Sequence, residues 1–410
     1  MTRFPIDTVT RGGLSPTSHK PRSQGSTIRD RITIGLLYLI LLTNVFQYSF
    51  WGMQETYYGI LRNITIGLVI VLFLVSVRPT QIRQTLASEK FLSFWLFCAL
   101  FAGVGLLVSY AVGAKLSFGS FRDVVIVLGI VVIGYNIRID GNILERFIVL
   151  YILLGTLSAL SYVLVFGFGI HEQYLVDYKN QLAPLFSVLV LLAVSHTINS
   201  SRYKILMSLC ALLLIVVIGI LRARTVLIAA SSCVMLYLFL SQKISTKVKL
   251  LVTGFVIAFI VSNMDLILEI FISGKQGTDL NSISSGRVSR ISDGLEFLSK
   301  DNNLLTGSLW GEQYDKGIVH VFLLNLWIEY GIILSFPIAL FYFVFLGRVI
   351  SQSFKRGDGF GGRDRVMPII ILLLFIVSFN EYSYPFSPVS SVFLSYLLYG
   401  VDLRKRSSIC

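Results

Sequence analysis

Apolar runs of roughly 17–25 residues recur along most of the chain, separated by short polar turns, and helices that cross a hydrocarbon core about 30 Å thick require that length. The pattern predicts twelve spans, at about 32–50, 59–77, 91–112, 121–136, 143–166, 180–198, 205–222, 225–241, 248–272, 318–346, 366–382 and 386–402. One interval breaks the rhythm. From about Asn263 to Gly331 the chain is long and polar, and it returns to apolar character at His320. The expected fold is an all-α polytopic membrane protein of about twelve transmembrane helices, with one large extracytoplasmic loop at about 273–318 containing short amphipathic helices. Residues 1–31 read as a disordered basic tail, residues 32–402 as the membrane domain and residues 403–410 as a second tail. The segment from Ile32 reads as a signal anchor, because a cleavable signal peptide would have its apolar core nearer Met1.

Hydrophobic residues make up 55% of the chain and charged ones 14%, which excludes an ordinary soluble domain. A net charge of +13 would suggest nucleic acid in a soluble protein. Here the cations gather in alternate connections, among them Arg29 and Arg31, Arg78 and Arg83, Lys247 and Lys249, Arg348 and Arg365, and Arg404 to Arg406. All fall on one side if the spans alternate, so both termini are expected to be cytoplasmic and no nucleic-acid partner is implied. Cys98, Cys210 and Cys233 lie inside apolar runs and Cys410 ends the chain, so no disulfide framework is indicated. No metal-ligand spacing is present.

This topology places Lys115, Arg122, Lys179, Arg222, Arg224, Lys275, Arg287, Arg290, Lys300 and Lys316 on or near the opposite face, where the positive-inside tendency disfavours them. Lys275, Lys300 and Lys316 have Asp279, Asp301 and Asp315 to balance them. Arg222, Arg224 and Arg287 have few acidic neighbours in sequence and lie at or beside span ends, where an ionisable group is more often functional. After Gly286, Val288, Ile291, Leu295 and Leu298 share one helical face and Ser289, Asp293 and Glu296 the other, the pattern of a helix lying in the membrane interface. Arg287 borders the apolar stripe, with Arg290 a turn away. Of the four histidines, His196 and His171 read as structural and His19 lies in the tail, whereas His320 stands at the mouth of a span beside the amphipathic segment. On a helical wheel Trp327 and Gly331 share its face and Glu329 points nearly opposite.

Clustered guanidinium groups bind phosphate oxygens well. Positive charge nearby favours the neutral form of an imidazole, which accepts a proton. Such a set suits a general base that activates an acceptor hydroxyl against a carbon whose leaving group is a phosphate. No carboxylate cluster is evident to hold a metal, so a metal-independent transfer with no cofactor is expected.

The stretch HVFLLNLWIEYG, from His320 to Gly331, resembles the hallmark of the O-antigen ligase and polymerase superfamily, a histidine followed at fixed intervals by an apolar residue, a glutamate and a glycine. Ser285-Gly286-Arg287 with Leu305-Thr306-Gly307 is similar to the lead-in to that motif within the family's periplasmic loop. Lys179-Asn180-Gln181-Leu182-Ala183 and Arg222-Ala223-Arg224-Thr225 resemble two further landmarks in the same order. Val321 and Leu304-Leu305 depart from the usual pattern without removing a titratable group.

The resemblance implies a bacterial inner-membrane glycosyltransferase with His320 as catalytic base. Arg224 and Arg287 would hold the pyrophosphate of an undecaprenyl-linked glycan donor, with Arg222 and Arg290 as further phosphate contacts and Lys179, Asn180, Glu329 and Trp327 in support. Its partners would be the lipid-linked donor and acceptor, membrane lipids and a chain-length regulator. The reading favoured is a polymerase of lipid-linked oligosaccharide repeat units; the alternative is the ligase that moves the finished glycan to lipid A-core. A flippase of lipid-linked sugars is disfavoured, because no halves repeat and the charges gather at one face. A protein-directed oligosaccharyltransferase of the superfamily would be expected to carry a larger periplasmic portion.

Overall fold

The computed structural model describes residues 28–114, 119–137, 139–167, 179–200, 202–221, 223–262, 286–300, 302–309, 314–315, 319–354, 365–379, 385–386 and 392–407. Among these there is no strand. Ten helices of the described residues precede the polar interval: α1 (Ile28–Gln47), α2 (Glu55–Ser76), α3 (Pro79–Ser88), α4 (Lys90–Ala111), α5 (Gly119–Asn136), α6 (Gly141–Phe166), α7 (Lys179–Asn199), α8 (Lys204–Ile220), α9 (Arg224–Leu240) and α10 (Thr246–Ser262). Within and after it come α11 (Arg287–Ser299), α12 (Asn303–Thr306) with a 3-10 turn at Gly307–Leu309, α13 (Phe322–Phe354), α14 (Val366–Val377) and α15 (Val392–Ser407). Among the described residues five stretches are long and apolar enough to cross a membrane: Tyr57–Ser76, Lys90–Ala111, Gly141–Phe166, Leu182–Asn199 and Phe322–Phe354. Each of the other predicted segments also contains a helix, shorter or more polar than these.

Three expectations change. Helix α1 opens at Ile28, inside the predicted tail, and Arg29 donates to the Val75 carbonyl at 2.6 Å, so this end is structured. At the other terminus α15 continues to Ser407, and Arg404 donates to the Ile137 carbonyl at 2.9 Å. Helix α3 was not anticipated in the connection after α2. Its signal is local: Pro79 suits the first helical position, and the Gln81 side chain accepts from the Arg78 N–H at 2.9 Å.

Helix α7 is the central element. Leu185, Phe186, Val188, Leu189, Val190 and Leu191 are all wholly buried, with α6, α8, α9 and α14 packed around them. A helix apolar on every side belongs inside a bundle. Helices α5 and α15 meet backbone to backbone, because a Cβ at Gly134 would lie 2.1 Å from the Leu397 carbonyl oxygen and one at Gly400 2.3 Å from that of Val131. Such small residues permit close helix approach where lipid supplies no hydrophobic drive.

The cations of the predicted inner side tie helix ends together. Besides Arg29 and Arg404, Lys249 donates to the Phe239 carbonyl at 2.7 Å and Arg365 to that of Leu240. Arg348 pairs with Glu89 at 3.2 Å while its guanidinium lies 4.5 Å from the Phe91 ring. His196 faces Glu145 at 3.4 Å. These contacts pair helix ends. The bonds of Tyr237 to Ser195, Tyr399 to Gln352 and Thr85 to Asn136, with the cavity that Glu145, His196, Val366 and Asp402 line, join the pairs. The starts of α1, α4, α6, α10 and α14 and the ends of α2, α5, α7, α9, α13 and α15 therefore share one face of the bundle. Alternating spans would give the same grouping. At the opposite face the Phe50 N–H donates to Ser161 Oγ at 2.8 Å, Tyr162 donates to the Tyr48 carbonyl at 3.1 Å, and the Phe322 N–H donates to the Ser378 carbonyl at 3.1 Å.

Between the faces, Trp95 stacks on Phe341 with ring centroids 4.4 Å apart and also meets Phe345, Phe386 and Tyr396. Trp95→Ala is expected to cost about 3 kcal/mol, the lower end of the range for buried aromatics, because a chain unfolded within lipid keeps its apolar surroundings and only packing is lost. Thermal unfolding in detergent checks this; an unchanged midpoint would show that the cluster contributes little.

Candidate functional site

The site is built on a break in α13. Gly331 has φ 65° and ψ 171°, a backbone state open to glycine alone, and it lies within the long helix. Gly307 has φ 60° and sits against it. A Cβ at Gly331 would lie 2.3 Å from the Leu305 carbonyl oxygen, and one at Gly307 would lie 2.4 Å from the Gly331 nitrogen. Each glycine therefore makes room for the other's backbone. Ser308 Oγ donates to the Ile328 carbonyl at 2.9 Å, and Ser335 Oγ donates to that of Gly331 at 2.6 Å. Carbonyls freed by a helix break need such partners. The two glycine motifs of the sequence are thus one contact, which docks α12 on α13.

Helix α11 docks beside it. Phe297 and Leu298 pack on Val319, Leu324 and Ile328, with Ile291, Tyr314 and Trp327 at the margin, and Gly294 lets Ile328 and Val319 approach. The predicted stripe is corrected here. Ile291 and Leu298 turn to α13, whereas Val288 and Leu295 stay 47% and 53% exposed. Helix α11 is also pinned at its far end by Asn303, whose side-chain nitrogen donates to the Phe297 carbonyl at 3.1 Å.

This docking brings Arg290 to His320, with Nη1 2.8 Å from Nε2. Guanidinium groups only donate, so Nε2 accepts and the neutral ring carries its proton on Nδ1, an atom shielded from solvent. The helical-wheel placement of His320 is corrected too. Helix α13 begins at Phe322, after the histidine, so His320 shares no face with Trp327 or Gly331; it stands on the lead-in, set by the buried Val319. Glu329 accepts from Asn325 Nδ2 at 2.8 Å along α13. Trp327 is half-buried against the α11 cluster.

The remaining candidates are placed by their helices. Arg224 is the first residue of α9 and half-buried, and Lys179 and Asn180 open α7. Both helices end at the tied face, where Tyr237 donates to Ser195 Oγ at 3.0 Å, so their first turns lie at the opposite face. Helix α13 also ends at the tied face, which puts His320 and α11 at that opposite face as well. Arg224 thus stands at the same face as the Arg290–His320 pair, on a different helix. Arg222, Ser285, His171 and the side chains of Lys179 and Asn180 lie outside the described residues.

The two faces differ in how they use cations. At the tied face Arg29, Lys249, Arg365 and Arg404 bond carbonyls at helix carboxyl ends, where the macrodipole attracts positive charge. At the other face Arg224 and Arg287 are each the first residue of a helix, and Arg290 is one turn further. There the dipole repels a cation by about 0.3–1 kcal/mol and attracts an anion. Helix α9, 17 residues long, rises about 25 Å, a little less than a hydrocarbon core of ~30 Å. A cavity of about 150 Å³ opens at the tied face instead, lined by Glu145, Ser195, His196, Asp402 and Lys405 among apolar side chains, and none of the predicted site residues belongs to it.

Sequence reasoning named His320 and Arg290 but did not foresee their contact; the only signal was helical spacing from Gly286. Comparison with protein-family models and with curated proteins returned no match.

Proposed function

We propose that the chain is a bacterial inner-membrane glycosyltransferase that polymerises undecaprenyl-pyrophosphate-linked oligosaccharide repeat units at the periplasmic face. What carries the reading is the gathering of Arg224, Arg287 and Arg290 at helix amino ends on the face that also holds His320. In this reading the twelve long or apolar helices all span the bilayer, the carbonyl-tied face with both termini is cytoplasmic, and the exposed Val288 and Leu295 of α11 meet the membrane interface. The resemblance of the His320–Gly331 and Gly286–Gly307 stretches to the O-antigen polymerase and ligase superfamily supplies the substrate class.

The chemistry balances without further reactants. The acceptor hydroxyl gives its proton to His320 Nε2 as its oxygen bonds to the donor's anomeric carbon. The bond from that carbon to the diphosphate oxygen breaks, and the electron pair leaves on undecaprenyl pyrophosphate, held by the arginines. His320 then returns its proton to water. Attack opposite the leaving group inverts the anomeric configuration.

Reconstitution of the purified protein with lipid-linked repeat units, with and without lipid A-core and with a chelator present, tests this. A ladder of longer lipid-linked glycans supports the polymerase. Transfer that requires lipid A-core makes the protein the ligase, with the same residues acting on another acceptor, and no transfer in either case removes the reading. Arg224→Ala and Arg287→Ala should each lower kcat/KM for the donor about 10- to 100-fold, the loss of one charge-assisted contact, with folding retained. Unchanged donor kinetics in both would remove the phosphate clamp.

A further inference from the structure

We infer that Arg290 is a positioning residue that exchanges between two partners: it covers the lone pair of His320 while the donor site is empty, and the donor's diphosphate draws it away and frees the base. The inference rests on the reading of His320 as general base at a diphosphate site. Its physical ground is the contact itself. The Nη1 to Nε2 distance of 2.8 Å uses the nitrogen lone pair that a base needs, and Nδ1 is shielded from solvent. As described, His320 has no open nitrogen with which to take a substrate proton.

The exchange has a direction. A neutral imidazole offers Arg290 one acceptor atom, whereas a diphosphate offers several charged oxygens in the geometry that a guanidinium fork matches. The anion therefore wins the arginine. Position favours this as well: Arg290 is exposed and stands three residues from Arg287, the spacing that makes helix side chains neighbours. No carboxylate ion pair with Arg290 is present among the described residues. The anchored part of α11 is its carboxyl half, at Gly294, Phe297 and Leu298, so the guanidinium moves by side-chain rotation with the helix in place. Once the proton has moved, a neighbouring Arg290 would repel the imidazolium; bound to diphosphate, its charge is compensated. The device would link proton abstraction to donor binding, leaving acceptor hydroxyls and water unactivated beforehand.

The test reads His320 directly rather than through turnover. Full-length protein in lipid nanodiscs is treated with diethyl pyrocarbonate, and acylation of the His320 peptide is followed by mass spectrometry, with inorganic pyrophosphate as the probe. Wild-type protein should react slowly, and pyrophosphate should speed acylation at least fivefold. Arg290→Ala should react at the fast rate with or without pyrophosphate, and Arg290→Lys should keep part of both the protection and the response. Pyrophosphate that leaves the wild-type rate unchanged, or lowers it, overturns the exchange, as does an Arg290→Ala protein that stays slow. Acylation of the His196 peptide, at the far face, reports misfolding if it rises in a variant. The general-base reading fails separately: a His320→Ala protein that still transfers glycan would remove the base and leave the acylation result standing.

Discussion

His320→Ala is expected to lower glycan transfer by about 100- to 10,000-fold, the usual contribution of a general base, while membrane insertion and thermal stability stay near the parental values. Stability should hold because the side chain is only partly buried and stands before α13 rather than within its packed length. The alanine variant also strips Arg290 of its hydrogen-bond partner, so a second variant is needed to separate that loss from the loss of the base. His320→Gln serves. Its amide oxygen accepts from Arg290 much as Nε2 does, but it does not take a proton at neutral pH. Both variants should therefore be inactive, with glutamine closer to wild type in stability. Transfer near the parental rate in glutamine would make the histidine a structural acceptor, and the same in alanine would remove it from the chemistry.

Legibility followed the range of the forces involved. Hydrophobic runs announced the helices, because a segment's need to be apolar over its length is written locally; even the shorter α8, α9 and α14 fall where the runs were read. Charge placement announced the grouping of ends, since Arg29, Arg348, Arg365 and Arg404 each stand at or near an end of their own segment. Their partners were not legible. Nothing near Arg404 points to the Ile137 carbonyl, 267 positions away, and the choice depends on the α5–α15 contact that Gly134 and Gly400 permit. The amphipathic segment was legible as a helix but not in its orientation. Its apolar stripe is wider than one partner needs, so α13 takes Ile291, Phe297 and Leu298 and leaves Val288 and Leu295 outward. That rotation is what turns Arg290 toward His320.

The same limit explains why Gly307 and Gly331 were read as separate landmarks, and it gives the second large effect. Gly331→Ala is expected to release α12 and then α11 from α13 and to abolish transfer with His320 still in the chain. Two terms add. An alanine at φ 65°, ψ 171° carries strain of about 1–3 kcal/mol. Its Cβ would meet the Leu305 carbonyl oxygen at 2.3 Å and the Gly307 nitrogen at 2.6 Å, backbone atoms that no rotamer change moves aside. Relief requires the 305–307 strand of chain to lift, which also breaks the Ser308 bond to the Ile328 carbonyl. Since α11 is tied to α12 through Asn303 and the Phe297 carbonyl, Arg290 loses its placement against His320. Hydrogen exchange should show faster amides across 287–309 while α5, α7 and α15 keep their protection, because their contacts lie elsewhere in the bundle. Gly307→Ala should act alike, and the double variant should cost less than the two single costs combined, since lifting the contact once removes both clashes. Additive costs would mean that the glycines act independently, and unchanged exchange together with unchanged transfer in Gly331→Ala would show that the docked loop is not what holds Arg290 to the histidine.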